Sequence, residues 1–100
     1  MRPYETLLLV DSRRSDQEID ETVKNFSTLV TDRGGEMANI ERWGRRRLAY
    51  EIEGITEGYY AVCTYNLDSG KRKEIDEALP FVEGLVRAKT VRRDVRTRSV

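Results

Sequence analysis

One hundred residues carrying 18 basic and 18 acidic side chains, one cysteine and no histidine set narrow limits on this chain. That length makes one domain with a small core, and 36% charged against 38% hydrophobic residues makes it globular but more charged than an average domain, with no window near the ~18 consecutive apolar residues of a membrane span. With no histidine and only Cys63, disulfides, thiol–histidine nucleophiles and ordinary zinc sites are excluded, and Cys63, between Val62 and Thr64, reads as a buried inert thiol.

Met1-Arg2-Pro3-Tyr4-Glu5 leads straight into an extended pattern with neither signal nor transit peptide, so a cytoplasmic location is expected. Tyr4 to Val10 reads as a strand whose start is marked by Pro3. Asp11 to Arg14 reads as a loop, and Ser15 with Glu18 forms a capping box that starts a helix at Asp16. Ile19, Val23, Phe26, Leu29 and Val30 recur at spacings of three and four, which gives that helix one apolar stripe. Its early acids suit the positive end of the helix dipole, and Gly34-Gly35 ends it.

Glu36 to Glu41 resumes an extended pattern, Trp43-Gly44 suggests a bulge or bend, and Leu48 to Ile52 completes the strand. Between these halves stand three successive arginines, Arg45, Arg46 and Arg47. Glu53 to Gly58 is expected to turn the chain, and Tyr59 to Leu67 is the strongest strand signal in the sequence. Asp68-Ser69 is expected to cap a second helix carrying Ile75, Ala78 and Leu79 until Pro80 stops it; Val82 to Val91 reads as the last strand.

The order β-α-β-β-α-β predicts an α+β fold, the ferredoxin-like split βαβ sandwich: a four-stranded antiparallel sheet with both helices on one face. The first and third strands are then central and the second and fourth form the edges. A single domain over residues 1–92 is expected, followed by a basic, flexible tail over residues 93–100.

Zero net charge argues against a simple nucleic-acid binder, but the distribution argues otherwise. Asp16, Glu18, Asp20 and Glu21 crowd one segment, while Arg87, Lys89, Arg92, Arg93, Arg96 and Arg98 run toward the C-terminus with only Asp94 among them. With Arg2 and the arginine triplet, folding can set a basic face opposite an acidic one, so that phosphates are bound locally by a neutral chain. Both alternating sets of the two central strands are apolar. If one set meets the helices, the other exposes leucine, tyrosine and valine on the uncovered face, which marks a partner surface.

Met1-Arg2 with Tyr4-Glu5, then Gly44-Arg45-Arg46-Arg47-Leu48-Ala49-Tyr50-Glu51-Ile52, then Glu57-Gly58-Tyr59-Tyr60, then Val86-Arg87 together form a pattern that resembles the bacterial small-subunit ribosomal protein six family from the start to about Arg92. The resemblance implies a ferredoxin-like fold without catalytic activity or cofactor. It also implies binding to the central domain of small-subunit ribosomal RNA as a heterodimer with ribosomal protein eighteen. Carried onto matching positions, it implies Arg2, Arg46, Arg47 and Arg87 as RNA contacts, and the charge distribution adds Arg45, Lys89 and Arg92. Leu48, Tyr50, Tyr60 and Val62 are implied for the partner surface, and face alternation adds Leu7 and Leu9. The sequence departs from the family pattern at Pro3, where many members are basic, and over Ala78 to Val82.

Two other readings compete. A stand-alone single-stranded RNA-binding module would stack bases on Tyr4, Tyr59, Tyr60 and Tyr65, although Leu7 and Leu9 are unsuited companions for such a platform. A phosphate-processing enzyme would use Arg13 or Arg14, but Asp11 to Ser15 lacks the glycines that bring backbone N–H groups around a phosphate.

Overall fold

In the computed structural model, which describes residues 1–93, the expected order is realised as β1 (Arg2–Asp11), α1 (Asp16–Asp32), β2 (Glu36–Ile52), β3 (Ile55–Leu67), α2 (Arg72–Ala78) and β4 (Leu85–Arg92). The strands form one sheet in the order β2-β3-β1-β4, with every neighbouring pair antiparallel. β1 and β3 are central and β2 and β4 are edges, because each helical crossover carries the chain past one intervening strand. The basic tail expected beyond Arg93 lies outside the described residues. Arg93 itself is tied to β1, its N–H donating to the Pro3 carbonyl and its guanidinium 3.5 Å from Glu5.

Helix α1 forms where its cap and stripe predict. Ser15 Oγ accepts from Glu18 N–H while Glu18 Oε1 accepts from Ser15 N–H. Ile19, Val23, Phe26 and Val30 are fully buried, and Leu29 packs beside them. The stripe meets Tyr4, Leu8 and Val10 of β1, Ala61, Cys63 and Tyr65 of β3, and Ile75 of α2. Both helices therefore share one face of the sheet, and burial of these side chains supplies most of the driving force for folding.

Four boundaries differ from the sequence expectation. β1 begins at Arg2 and includes Pro3, opposite Asn66 of β3. The N and O of one strand residue point the same way, and Pro3 O accepts from Arg93, so the missing donor falls on the β4 side beyond that strand's last paired residue. The turn expected over residues 53–58 is only Glu53-Gly54, both with positive φ (49° and 84°), and β3 starts at Ile55. Gly58 lies within β3 for a packing reason, since a Cβ there would collide with Leu9 Cδ1.

The second helix also starts later than expected. Asp68 caps a 3-10 turn over Ser69–Lys71, its carboxylate accepting from Gly70 N–H, and α2 follows; a second 3-10 turn over Leu79–Phe81 takes in Pro80. Val82 to Gly84 turns instead of extending, because Leu85 N–H bonds back to Val82 O and Gly84 O accepts from Asp11 N–H. The last strand thus starts at Leu85.

Candidate nucleic-acid interface

Facing residues in an antiparallel ladder share a side of the sheet, so the register sorts every candidate. Leu7 faces Val62 and Lys89, and Leu9 faces Tyr60 and Arg87. Gly44 faces Tyr60 and Arg46 faces Gly58. These residues lie on the face without helices. The expected apolar set therefore stands on the two central strands, with Arg46 on one edge strand and Arg87 and Lys89 on the other. Three strand spacings separate the two basic margins, about 14 Å.

The Trp43-Gly44 bend expected from the sequence is a bulge, with a register shift between Arg42 and Gly44 and Gly44 at φ 87°. That φ is open to glycine without strain, and no heavy atom stands where its Cβ would be, so backbone conformation alone sets the residue type. The bulge puts Trp43 on the open side. Its ring lies 6.4 Å from that of Tyr60, and the Arg46 guanidinium sits 5.9 Å from the indole centroid. Trp43 is 44% exposed, a surface aromatic beside the bend.

A shallow depression of about 190 Å³ opens between the central strands and β4, lined by Leu7, Leu9, Ile52, Tyr60, Arg87 and Lys89 together with Ala88. Its floor is apolar and its β4 wall cationic. Next to it, the end of β2 folds back over the sheet. The pairing shifts between Arg47 and Ile52, and Leu48 joins Leu9 and Ile55 in a second, smaller core with Ile52, Tyr60 and Val86 around it.

The partner candidates consequently differ in accessibility. Leu48, Val62 and Leu9 are 9%, 6% and 4% exposed, Leu7 and Tyr60 are half-buried, and Tyr50 near the hairpin end is 67% exposed. The face that no helix covers is thus partly covered by the chain's own hairpin. Ile52, which sequence reasoning passed over, joins it through the register shift that no local pattern announces.

The RNA candidates do not form one patch. Arg46, Arg87 and Lys89 lie on the open side, whereas Arg2 opposite Leu67, Arg92 opposite Tyr4, Arg45 opposite Tyr59 and Arg47 opposite Glu57 take the helix side by register. Arg45 Nη2 lies 2.9 Å from Asp16 Oδ1, and Arg42, which the sequence reading left out, lies 2.9 Å from Asp20 Oδ1. Arg42 also donates to the Tyr59 hydroxyl at 3.5 Å, and this bond, ahead of the nearby Asp20 charge, raises its pKa.

Geometry also bears on the competing readings. Tyr4 and Tyr65 are buried against the helices with their rings stacked 5.9 Å apart, so Tyr60 alone of the four tyrosines reaches the open face. Arg13 is held by both Asp11 carboxylate oxygens, at 3.0 and 2.9 Å, which lowers the Asp11 pKa, and Arg14 lies 3.3 Å from Glu83. Both loop arginines already have anions. Burial pushes the Cys63 thiol up to about 11, which keeps it protonated at neutral pH.

The family of Ribosomal protein S6 matches residues 3–92. The chain is 36% identical over 94 residues to small ribosomal subunit protein bS6 of Desulforudis audaxviator, covering 94% of this chain and 100% of that one. It is also 36% identical over 98 residues to the bS6 protein of Saccharopolyspora erythraea, covering 98% of this chain and 83% of that one. The crystal structure of 30S ribosomal protein S6 from Thermotoga maritima superposes with a TM-score of 0.87 at 26% identity, covering 93% of this chain and 88% of that one. With the expected ferredoxin-like fold in place, these matches establish that the chain belongs to the bacterial ribosomal protein S6 family, whose members are small-subunit ribosomal proteins and not enzymes, and that its place is the cytoplasmic ribosome.

Proposed function

We propose that the chain binds the central domain of small-subunit ribosomal RNA jointly with ribosomal protein eighteen and helps to assemble the platform of the subunit. The observation that carries this reading is the open sheet face, an apolar strip of Leu7, Leu9, Tyr60 and Val62 with Arg46 at one margin and Arg87 and Lys89 at the other. An apolar strip suits a protein surface and cationic margins suit phosphate, so the two kinds of partner meet side by side. Leu7, Tyr60 and the exposed Tyr50 offer area to the protein partner, while Leu9, Val62 and Leu48 support them from beneath.

Arginine forks bind phosphate oxygens in pairs, and folded RNA presents its phosphates and ribose hydroxyls as a shape. Each arginine that neutralises a phosphate adds to salt-dependent affinity without reading a base. Arg46, Arg87 and Lys89 give the described part of the open face a small share of such contacts, so the heterodimer binds tightly where the chain alone binds weakly. Arg2, Arg47 and Arg92, on the helix side, contact RNA only if it wraps the strand ends.

The test is a salt series of binding to a central-domain RNA fragment with and without ribosomal protein eighteen. Tight binding is expected only with the partner, and Arg46→Ala or Arg87→Ala should each flatten the slope of log affinity against log salt by about 0.7–0.9. Binding indifferent to both the partner and these arginines would overturn the reading. A crosslink from Tyr60 to single-stranded RNA without the partner would favour the stand-alone module.

A further inference from the structure

β2 carries Arg42, Arg45, Arg46 and Arg47 within six positions, yet the register divides them between the two sides of the sheet. In an uninterrupted strand, residues three apart point to opposite faces. The bulge at Trp43 shifts that parity, so Arg42 faces Ala61 and Arg45 faces Tyr59, both on the helix side. There they meet Asp20 and Asp16, which are four apart on α1 and so on the same flank of the helix. Two 2.9 Å rungs result, each joining one edge-strand arginine to one helix carboxylate.

Resting on the RNA-binding reading above, we propose that Asp16 and Asp20 are specificity residues that serve as built-in counterions and withdraw Arg42 and Arg45 from the surface a polyanion encounters. All four side chains are substantially exposed, so these pairs add little to stability. What they remove is field. A guanidinium and a carboxylate 2.9 Å apart present a short dipole, and beyond the Debye length of about 8 Å at physiological salt little remains of it. A phosphate that approaches either arginine must also exchange one anion for another, which cancels most of the counterion release that drives non-specific binding. Arg46, Arg87 and Lys89 on the open face have no such helix carboxylates, so the two rungs weight attraction toward the side where the apolar strip also lies.

The experiment measures binding to a short oligouridylate, which offers phosphates without the cognate shape, across a salt series. In Asp16→Asn/Asp20→Asn the slope of log affinity against log salt should steepen by about 1.4, as two released arginines each engage one phosphate of a single strand. Glu21→Gln/Glu77→Gln changes the net charge equally at exposed acids that form no ion pair among the described residues, and its slope should stay near that of the parent chain. Adding Arg42→Gln/Arg45→Gln to the Asp16→Asn/Asp20→Asn chain should return the slope to the parent value, and circular dichroism should show that each variant is folded.

Equal slopes in the two acid-neutralised variants, or no reversal by the arginine substitutions, would overturn the proposal. The assay contains neither ribosomal RNA nor a protein partner, so it can fail while partner-dependent binding holds. Conversely, if Arg46→Ala and Arg87→Ala leave binding to the central-domain fragment unchanged, the function falls and these slopes remain interpretable.

Discussion

Thr6 stands in the middle of β1 on the helix side, fully buried, with its hydroxyl 2.8 Å from Tyr65 Oη and 2.8 Å from Thr90 Oγ1. Three hydroxyls in a row thus join β3, β1 and β4 through an otherwise apolar core. A buried polar group that loses its partner costs about 1–3 kcal/mol. Valine matches threonine in shape but not in chemistry, so Thr6→Val should lower stability by about that amount in urea unfolding. Tyr65→Phe should cost less, because Thr6 keeps Thr90. If Thr6→Val proved as stable as the parent chain, the hydroxyl row would have no structural weight. Nothing in the sequence distinguishes Thr6 from other strand threonines, because its partners come from strands 59 and 84 residues away.

Helix α1 shows the opposite case, an element whose start is written locally. The Ser15 N–H held by the Glu18 carboxylate lowers the Glu18 pKa below its ordinary value of 4.5. A carboxylate with a depressed folded pKa contributes stability that is present above its unfolded value and is lost as pH falls through the folded one. The urea midpoint should therefore decline on acidification below 4.5, and Glu18→Gln, which keeps an acceptor but does not titrate, should flatten that decline. An unchanged acid limb in the glutamine variant would sink the argument. Caps, stripes and glycine stops were legible in the sequence because each involves residues a few positions apart. The extent of β3 was not, since Ile55 to Gly58 looks like turn material until Leu9 and Leu48 are seen to fill the space at Gly58. The same distant packing explains why Leu48, assigned to a partner surface by family pattern, lies in a small core, whereas strand alternation alone divides the arginine triplet between two faces.

For the whole molecule, zero net charge conceals a division between faces. Acidic side chains of α1 engage Arg42 and Arg45 on the helix side, while Arg46, Arg87 and Lys89 border an apolar strip on the other. The single basic face expected from sequence is divided instead, since Arg2, Arg42, Arg45, Arg47 and Arg92 take the helix side by register. Trp43, the only tryptophan, stands on the open side beside Tyr60 and Arg46, and so reports on one face alone. Partner and RNA docking on the open face would strip water from a half-exposed indole, so its emission should shift to shorter wavelength when both are added and much less with either alone. Docking on the helix side would leave the indole in water and the emission unchanged. Arg46→Ala separates these cases further: it removes the cation over the ring, which alters the free-state emission, and it should weaken the complex without abolishing the shift at saturation. A saturable complex that leaves Trp43 emission unmoved would place the interface away from the open face, and the helix-side cations Arg2, Arg47 and Arg92 would become the residues to substitute next.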